Sequence, residues 1–173
     1  MTQPAAAPPD DGRYGALGRL VELAALMEIA LRMAFCVLIG STYAAVVAGG
    51  QETHWLIDNC DAIVRHRADL TGAQLEAIRA ALRACRDANR DRNRLVHDAW
   101  GTDADGGPAE LRGGHGGYEI TGRAWTTAEI EAVADAISNA QRELLAGIED
   151  ALGPDAMRSA QRLLAADAVE RGR

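Results

Sequence analysis

The sequence predicts an all-α fold, a four- to five-helix up-down bundle with a short Gly-rich or hairpin excursion before its fourth long helix. Three observations carry this expectation. The 173-residue chain is 48% hydrophobic but only 4% aromatic, so Ala, Leu, Ile and Val must build its core, and such a composition favours helix. Apolar residues recur at spacings of three and four through most of the chain. Two capping boxes, Thr71 with Gln74 and Thr126 with Glu129, mark helix starts.

Residues 1–12 are Pro/Ala-rich and acidic and read as a disordered tail without a signal peptide. Residues 13–152 form the expected bundle, and 153–173 a C-terminal helix and tail. The first helix is predicted over Arg13 to Ile39. Its inward stripe is Leu17, Val21, Ala24, Leu31, Phe35 and Leu38, with Leu20 and Met27 beside the line. Glu28 falls in the middle of that stripe. An unpaired buried carboxylate is costly, so Glu28 either pairs with Arg32 one turn on or belongs to a site. Met33 to Gly50 carries no charge and has about the length of a minimal membrane span. Gly40-Ser41-Thr42 interrupts it and Gly49-Gly50 ends it, so two short buried pieces around a turn are expected, not a membrane segment.

A second helix is predicted from about Thr53 to Arg67, with Leu56, Cys60 and Ile63 inward. His54 beside Trp55, and His66 between arginines, read as ordinary surface or half-buried groups. The third helix starts at the Thr71 capping box, with Leu70 and Leu75 as a hydrophobic staple. Its inward line runs Leu75, Ile78, Leu82 and Cys85, then turns polar: Asn89, Arg92 or Asn93, and Val96 or His97. Packing alone does not require that change. Thr102 to Ala124 is Gly-rich, with Leu111, Tyr118 and Ile120 able to form a short hairpin. The run from Gly113 to Gly117 reads as a flexible turn, because no Gly-Lys-Ser/Thr follows to make a phosphate loop. The fourth long helix follows Thr126, with Ile130, Val133, Ile137, Leu144 and Ile148 as its stripe. Gly153-Pro154 breaks the chain before a last helix carrying Met157, Leu163 and Leu164.

All 18 cationic side chains are arginine, and guanidinium holds phosphate in a fixed fork. A net charge of −7 argues against a general nucleic-acid coat protein but is compatible with a local phosphate site. Cys36, Cys60 and Cys85 are odd in number and far apart. They read as buried reduced thiols, with no disulfide framework and no zinc spacing, and a cytoplasmic protein is expected.

The site-like feature is Arg92-Asn93-Arg94-Leu95-Val96-His97. At about 100° per residue, Arg92 and His97 lie about 140° apart, flanking the inward stripe with Asn89, Asn93 and Val96 between them. Asn93 and His97 are one turn apart and can touch. These residue types suit phosphodiester cleavage. An imidazole titrates near neutrality and can move a proton. A guanidinium binds phosphate and stabilises charge developing on it. RNA brings its own nucleophile, the 2′-hydroxyl. A histidine near a helix C-terminus is also favoured by the helix dipole, so a purely structural role stays open. Arginines 83, 86, 90 and 94 alternate with Asp87 and Asp91, as a solvated ion-paired face or as an RNA-contact surface with Arg90 and Arg94 next to the run.

The run resembles the Arg-x(4–6)-His signature of the HEPN superfamily, including the polar residue after the arginine. Arg90 satisfies the looser spacing, but Arg92 is preferred because Asn93 follows it. The surroundings are similar too: a capped helix leading in, Trp100 soon after, a short excursion and a long helix. The resemblance implies a helical bundle that dimerises with its motifs facing each other. It implies a ribonuclease needing no metal and no cofactor, which leaves a 2′,3′-cyclic phosphate and a 5′-hydroxyl. Such proteins serve as toxins or phage-defence effectors, often with an antitoxin partner. On that pattern His97 is the acid–base residue, Arg92 the phosphate ligand, Asn93 a support, and Glu28 a carboxylate that orients Arg92 or His97. Members paired with a nucleotidyltransferase carry a tyrosine two residues after the histidine, and Ala99 stands there in this chain. The alternative reading is a non-catalytic helical dimerisation or partner-binding module.

Overall fold

A computed structural model describes the backbone of residues 11–97, 99–102, 108–114, 117–121 and 125–171, and the side chains of 12–96 and 125–166. The expected N-terminal tail lies outside the described residues, apart from its last two positions, which begin the first helix. Six helices are present: α1 (Asp11–Ile39), α2 (Ala44–Ala48), α3 (Thr53–His66), α4 (Gly72–His97), α5 (Thr127–Leu152) and α6 (Pro154–Arg171). Between α4 and α5 lies a small antiparallel sheet, β1 (Ala99–Thr102), β2 (Pro108–Gly114) and β3 (Gly117–Thr121), in the order β1-β2-β3. The helical bundle and the excursion before the fourth long helix agree with the sequence expectation.

The capping boxes form as the sequence predicts. The Thr71 amide donates to Gln74 Oε1 at 3.1 Å, and the Gln74 amide to Thr71 Oγ1 at 3.3 Å. Thr126 and Glu129 do the same at 2.9 and 3.2 Å. Each box satisfies two amides that a helix start leaves without partners. In the sheet, Leu111 stands opposite Ile120 and Gly113 opposite Tyr118. Gly113, Gly114 and Gly117, expected in a flexible turn over 113–117, are strand residues, and positions 115 and 116 lie outside the described residues. β1 was not anticipated, since four residues are too few to show a period.

Contacts between helices fix their directions. Arg19 on α1 bonds Asp135 near the start of α5 at 2.6 Å, while Cys36 shares a cavity wall with Ala156 just beyond the end of α5. α1 and α5 therefore run parallel. α4 is antiparallel to α5, because Gln74 donates to the Asp150 carbonyl at 3.2 Å at one end and Arg94 lies 5.7 Å over the Trp125 ring at the other. α4 is also antiparallel to α3, where Arg86 bonds Asp58 at 2.6 Å and Arg79 bonds Asp61 at 2.9 Å. Cys60 donates to the Leu31 carbonyl at 3.9 Å and Arg67 to the Leu38 carbonyl at 2.8 Å, so α1 and α3 run the same way. The strict up-down alternation expected from the sequence does not hold there. Gly40, at φ 66°, turns the chain at the end of α1, and the segment with α2 carries it back. That φ favours glycine because it has no Cβ to clash.

The core joins Leu20, Met27 and Leu31 of α1, Leu56, Ile57 and Cys60 of α3, Ile78, Leu82, Cys85 and Leu95 of α4, and Ile130, Ile137, Leu144 and Ile148 of α5. The expected α1 stripe is shifted. Leu20 and Met27 lie at its centre, whereas Val21 is 49% exposed. α1 is apolar around most of its circumference, so periodicity does not choose its buried side and the neighbouring helices do. On α4, Leu95 is buried and Val96 exposed, reversing the expectation for Val96.

All three cysteines are buried thiols outside any disulfide. Burial pushes the thiols of Cys60 and Cys85 up to about 12, so both stay protonated and unreactive near neutrality. No helix among the described residues is long and apolar enough to cross a membrane.

Asp61 holds α3 to α4 by accepting from Arg79 at 2.9 Å and from Arg65 at 2.5 Å. Burial pushes its pKa up, but the hydrogen bonds from Arg79 and Arg65 outweigh that and hold it below its ordinary value of 3.8. A carboxyl with a depressed folded pKa stabilises above its ordinary range and loses that contribution as pH falls through the folded value. Asp61→Asn should therefore cost about 1–2 kcal/mol at pH 7. In urea unfolding curves recorded from pH 7 down to pH 2.5, the gap from wild type should close at the acid end.

Candidate functional site

Three helical segments meet around a polar cavity of about 410 Å³. α4 contributes Asn89, Arg92 and Asn93, and α1 contributes Glu28 and Arg32. The third wall is the approach to α3 and its first turn, from Gly50 to His54. The cavity exists because α1, α3 and α4 bury apolar lines against one another and leave a gap where those lines give out. On α4 the apolar line continues through Cys85, Ala88 and Leu95, while Asn89, Arg92 and Asn93 lie half-buried beside it. The polar change read in the sequence is thus a second face of α4, displaced from the core.

The structure brings Arg92, Asn93 and Glu28 to this one cavity, although Glu28 is 64 positions from Arg92 in sequence. Arg92 Nη1 donates to Asn93 Oδ1 at 2.8 Å, and Arg92 has no carboxylate partner among the described residues. Glu28 instead pairs with Arg32, one turn along α1. The local ion pair expected of Glu28 forms, and among the described residues Glu28 makes no bond to Arg92, which it was expected to orient; the pair and Arg92 line the same cavity. His97 is the last residue of α4, and its side chain lies outside those described. Arg90 and Arg94 do not line the cavity. Arg90 is exposed and paired with Asp87 at 3.1 Å and Asp91 at 3.7 Å. Arg94 is taken up by the Trp125 ring.

Guanidinium and carboxamide groups line the cavity together with two carboxylates. Formal charges in the wall balance between Glu28 and Glu52 on one side and Arg32 and Arg92 on the other. The Nε atoms of Arg32 and Arg92 are buried without a hydrogen-bond partner. An unsatisfied buried donor costs about 1–3 kcal/mol, which an incoming acceptor can recover. At the third wall, Glu52 is the N-cap of α3 but makes no side-chain cap. The first-turn amides of a helix carry partial positive charge when left uncapped. Guanidinium forks, carboxamides and a helix start are groups that bind phosphate oxygens.

Sequence reasoning missed His54, Thr53 and Glu52 as wall residues. They precede Arg92 by about 40 positions and carry no motif. Only the parallel run of α3 beside α1 sets them across from α4.

Among the described residues Arg92 makes one side-chain hydrogen bond, while Leu95, three residues on, is 1% exposed. Arg92→Ala should therefore cost about 1 kcal/mol or less. Leu95→Ala should cost about 2–5 kcal/mol. Denaturant unfolding of both variants checks this contrast, which marks Arg92 as a residue the fold does not need. Compared with family models, with curated proteins and with solved structures, the chain matches none.

Proposed function

We propose that the protein is a metal-independent endoribonuclease of HEPN type, acting as a toxin or phage-defence effector. The observation that carries this reading is the shared cavity of Arg92, Asn93 and Glu28 on a helix that continues to His97. Arg92 binds the scissile phosphate and stabilises the charge that gathers on its oxygens. Asn93 fixes the Arg92 fork. Glu28 holds Arg32 at the opposite wall. His97 moves a proton as the 2′-oxygen attacks phosphorus, the bond to the 5′-oxygen breaks, and a 2′,3′-cyclic phosphate forms. The proposed setting is a cytoplasmic homodimer acting on RNA, with an antitoxin protein as the controlling partner.

A second reading, a non-catalytic association module, is favoured by the outer face of α1. Tyr14, Val21, Leu26 and Ile29 are exposed there, from 42% to 65%. Scattered apolar residues are ordinary on a surface, but several on one helix face suit a partner.

Purified protein should cleave single-stranded RNA in EDTA and leave cyclic phosphate ends. Arg92→Ala and His97→Ala should each lower the rate by at least about 10²-fold with the fold retained by circular dichroism. Activity that disappears on chelation, or persists in His97→Ala, counts against the ribonuclease. Absence of cleavage, together with a fall in sedimenting mass in Val21→Glu, would favour the association module.

A further inference from the structure

The first turn of α3 brings an imidazole, that of His54, to the cavity. His54 and Glu52 both line the wall shared with Arg92 and Asn93. His54 Nδ1 lies 3.1 Å from Glu52 Oε2. Both side chains are well exposed, at 68% and 79%, so a polymeric substrate can reach them. An exposed ion pair of this kind adds little to stability. Glu52 also stands at the N-cap without capping its helix, its carboxylate lying against His54 instead. A carboxylate at Nδ1 favours the tautomer with its proton there, which leaves Nε2 as the basic nitrogen.

We propose that Glu52 and His54 form a carboxylate–imidazole dyad whose Nε2 is a proton-transfer group of this cavity, so that one protomer carries both an imidazole and the Arg92 guanidinium. The inference rests on the ribonuclease reading and deepens it. Cleavage of RNA by its own 2′-hydroxyl needs two proton transfers. His54 Nε2 takes the 2′-hydroxyl proton while the bond from that oxygen to phosphorus forms. The bond from phosphorus to the 5′-oxygen then breaks, and His97 supplies the proton that the 5′-oxygen takes away. Proton and electron pairs balance without an added reagent. Arg92 and the uncapped amides of α3 hold the phosphate oxygens beside His54. Glu52 is a positioning residue that acts through His54. The other charged groups facing this cavity are Glu28 and Arg32 from α1 and Arg92 from α4, with Asn89 and Asn93 neutral beside them.

The test is cleavage of a single-stranded RNA transcript by the full chain in EDTA, with kcat and KM measured from pH 4.5 to 9. Wild type should give a bell-shaped kcat profile. His54→Asn should lower kcat by about 10²–10⁴-fold, change KM little and remove the acidic limb, with an unchanged melting temperature. Added imidazole should partly restore His54→Gly. Glu52→Gln should lower kcat less than His54→Asn does, with KM little changed. His66→Asn, on the exposed last turn of α3 away from the cavity, is the control and should match wild type. Cleavage abolished by His97→Ala and Arg92→Ala but retained with both limbs in His54→Asn overturns the dyad and leaves the ribonuclease standing. Cleavage kept in His97→Ala overturns the ribonuclease reading, and with it the two-histidine proton relay. Wild-type protein that leaves RNA intact overturns both readings.

Discussion

The structure depends on α4 burying one apolar line while holding a polar line open beside it. Ile78, Leu82, Cys85 and Leu95 pack into the core with Ile130, Ile137, Leu144 and Ile148 of α5. Burying each large aliphatic side chain is worth about 1.5–3 kcal/mol, so this contact sets the rotation of α4. The fit is close: a Cβ added at Gly147 would lie 3.4 Å from Ile78 Cγ1. Once that rotation is set, Asn89, Arg92 and Asn93 have no freedom to turn away from α1 and α3. The cavity is the gap left when a core helix carries carboxamides and a guanidinium where another helix would carry leucine.

The arginines divide by what they meet. Arg79 and Arg86 bond carboxylates of α3, Arg19 reaches α5, and Arg67 ties the end of α3 to the Leu38 carbonyl. The Arg86 and Arg19 contacts are solvent-exposed and individually weak, while those of Arg79 and Arg67 are part-buried. Their use is in register: they select one sliding position among several that hydrophobic burial alone would allow. Arg32 and Arg92 differ, because each keeps a buried Nε without a partner. That is a local cost to the folded chain, and an anion in the cavity would offset it.

Glu28 pairs with Arg32 at the i, i+4 spacing, which gives a half-buried carboxylate a partner on its own helix. The same pair forms a wall of fixed charge facing Arg92. Glu52 and His54 make a comparable short-range pair on α3. The cavity is therefore built from local pairs on separate helices, each stable on its own helix and each aimed at the same space.

The sequence by itself determined the helices, their starts at Thr71 and Thr126, the buried thiols and the polar patch on α4. These depend on neighbours within one or two turns, and spacing records such neighbours directly. It also marked Glu28 and the Arg92-Asn93 stretch as separate anomalies, a carboxylate on an apolar helix and a polar break in an apolar stripe; only the resemblance grouped them. Tertiary structure decided what a single helix cannot encode. α1 is apolar on most sides, so its buried face was chosen by α3, α4 and α5, which put Val21 outside and Leu20 at the centre. The direction of α3 followed from the return segment after Gly40, whose length and turn carry no periodic signal. That direction is what sets His54 and Glu52 across from Arg92, a meeting governed by long-range packing and not by any pattern along the chain.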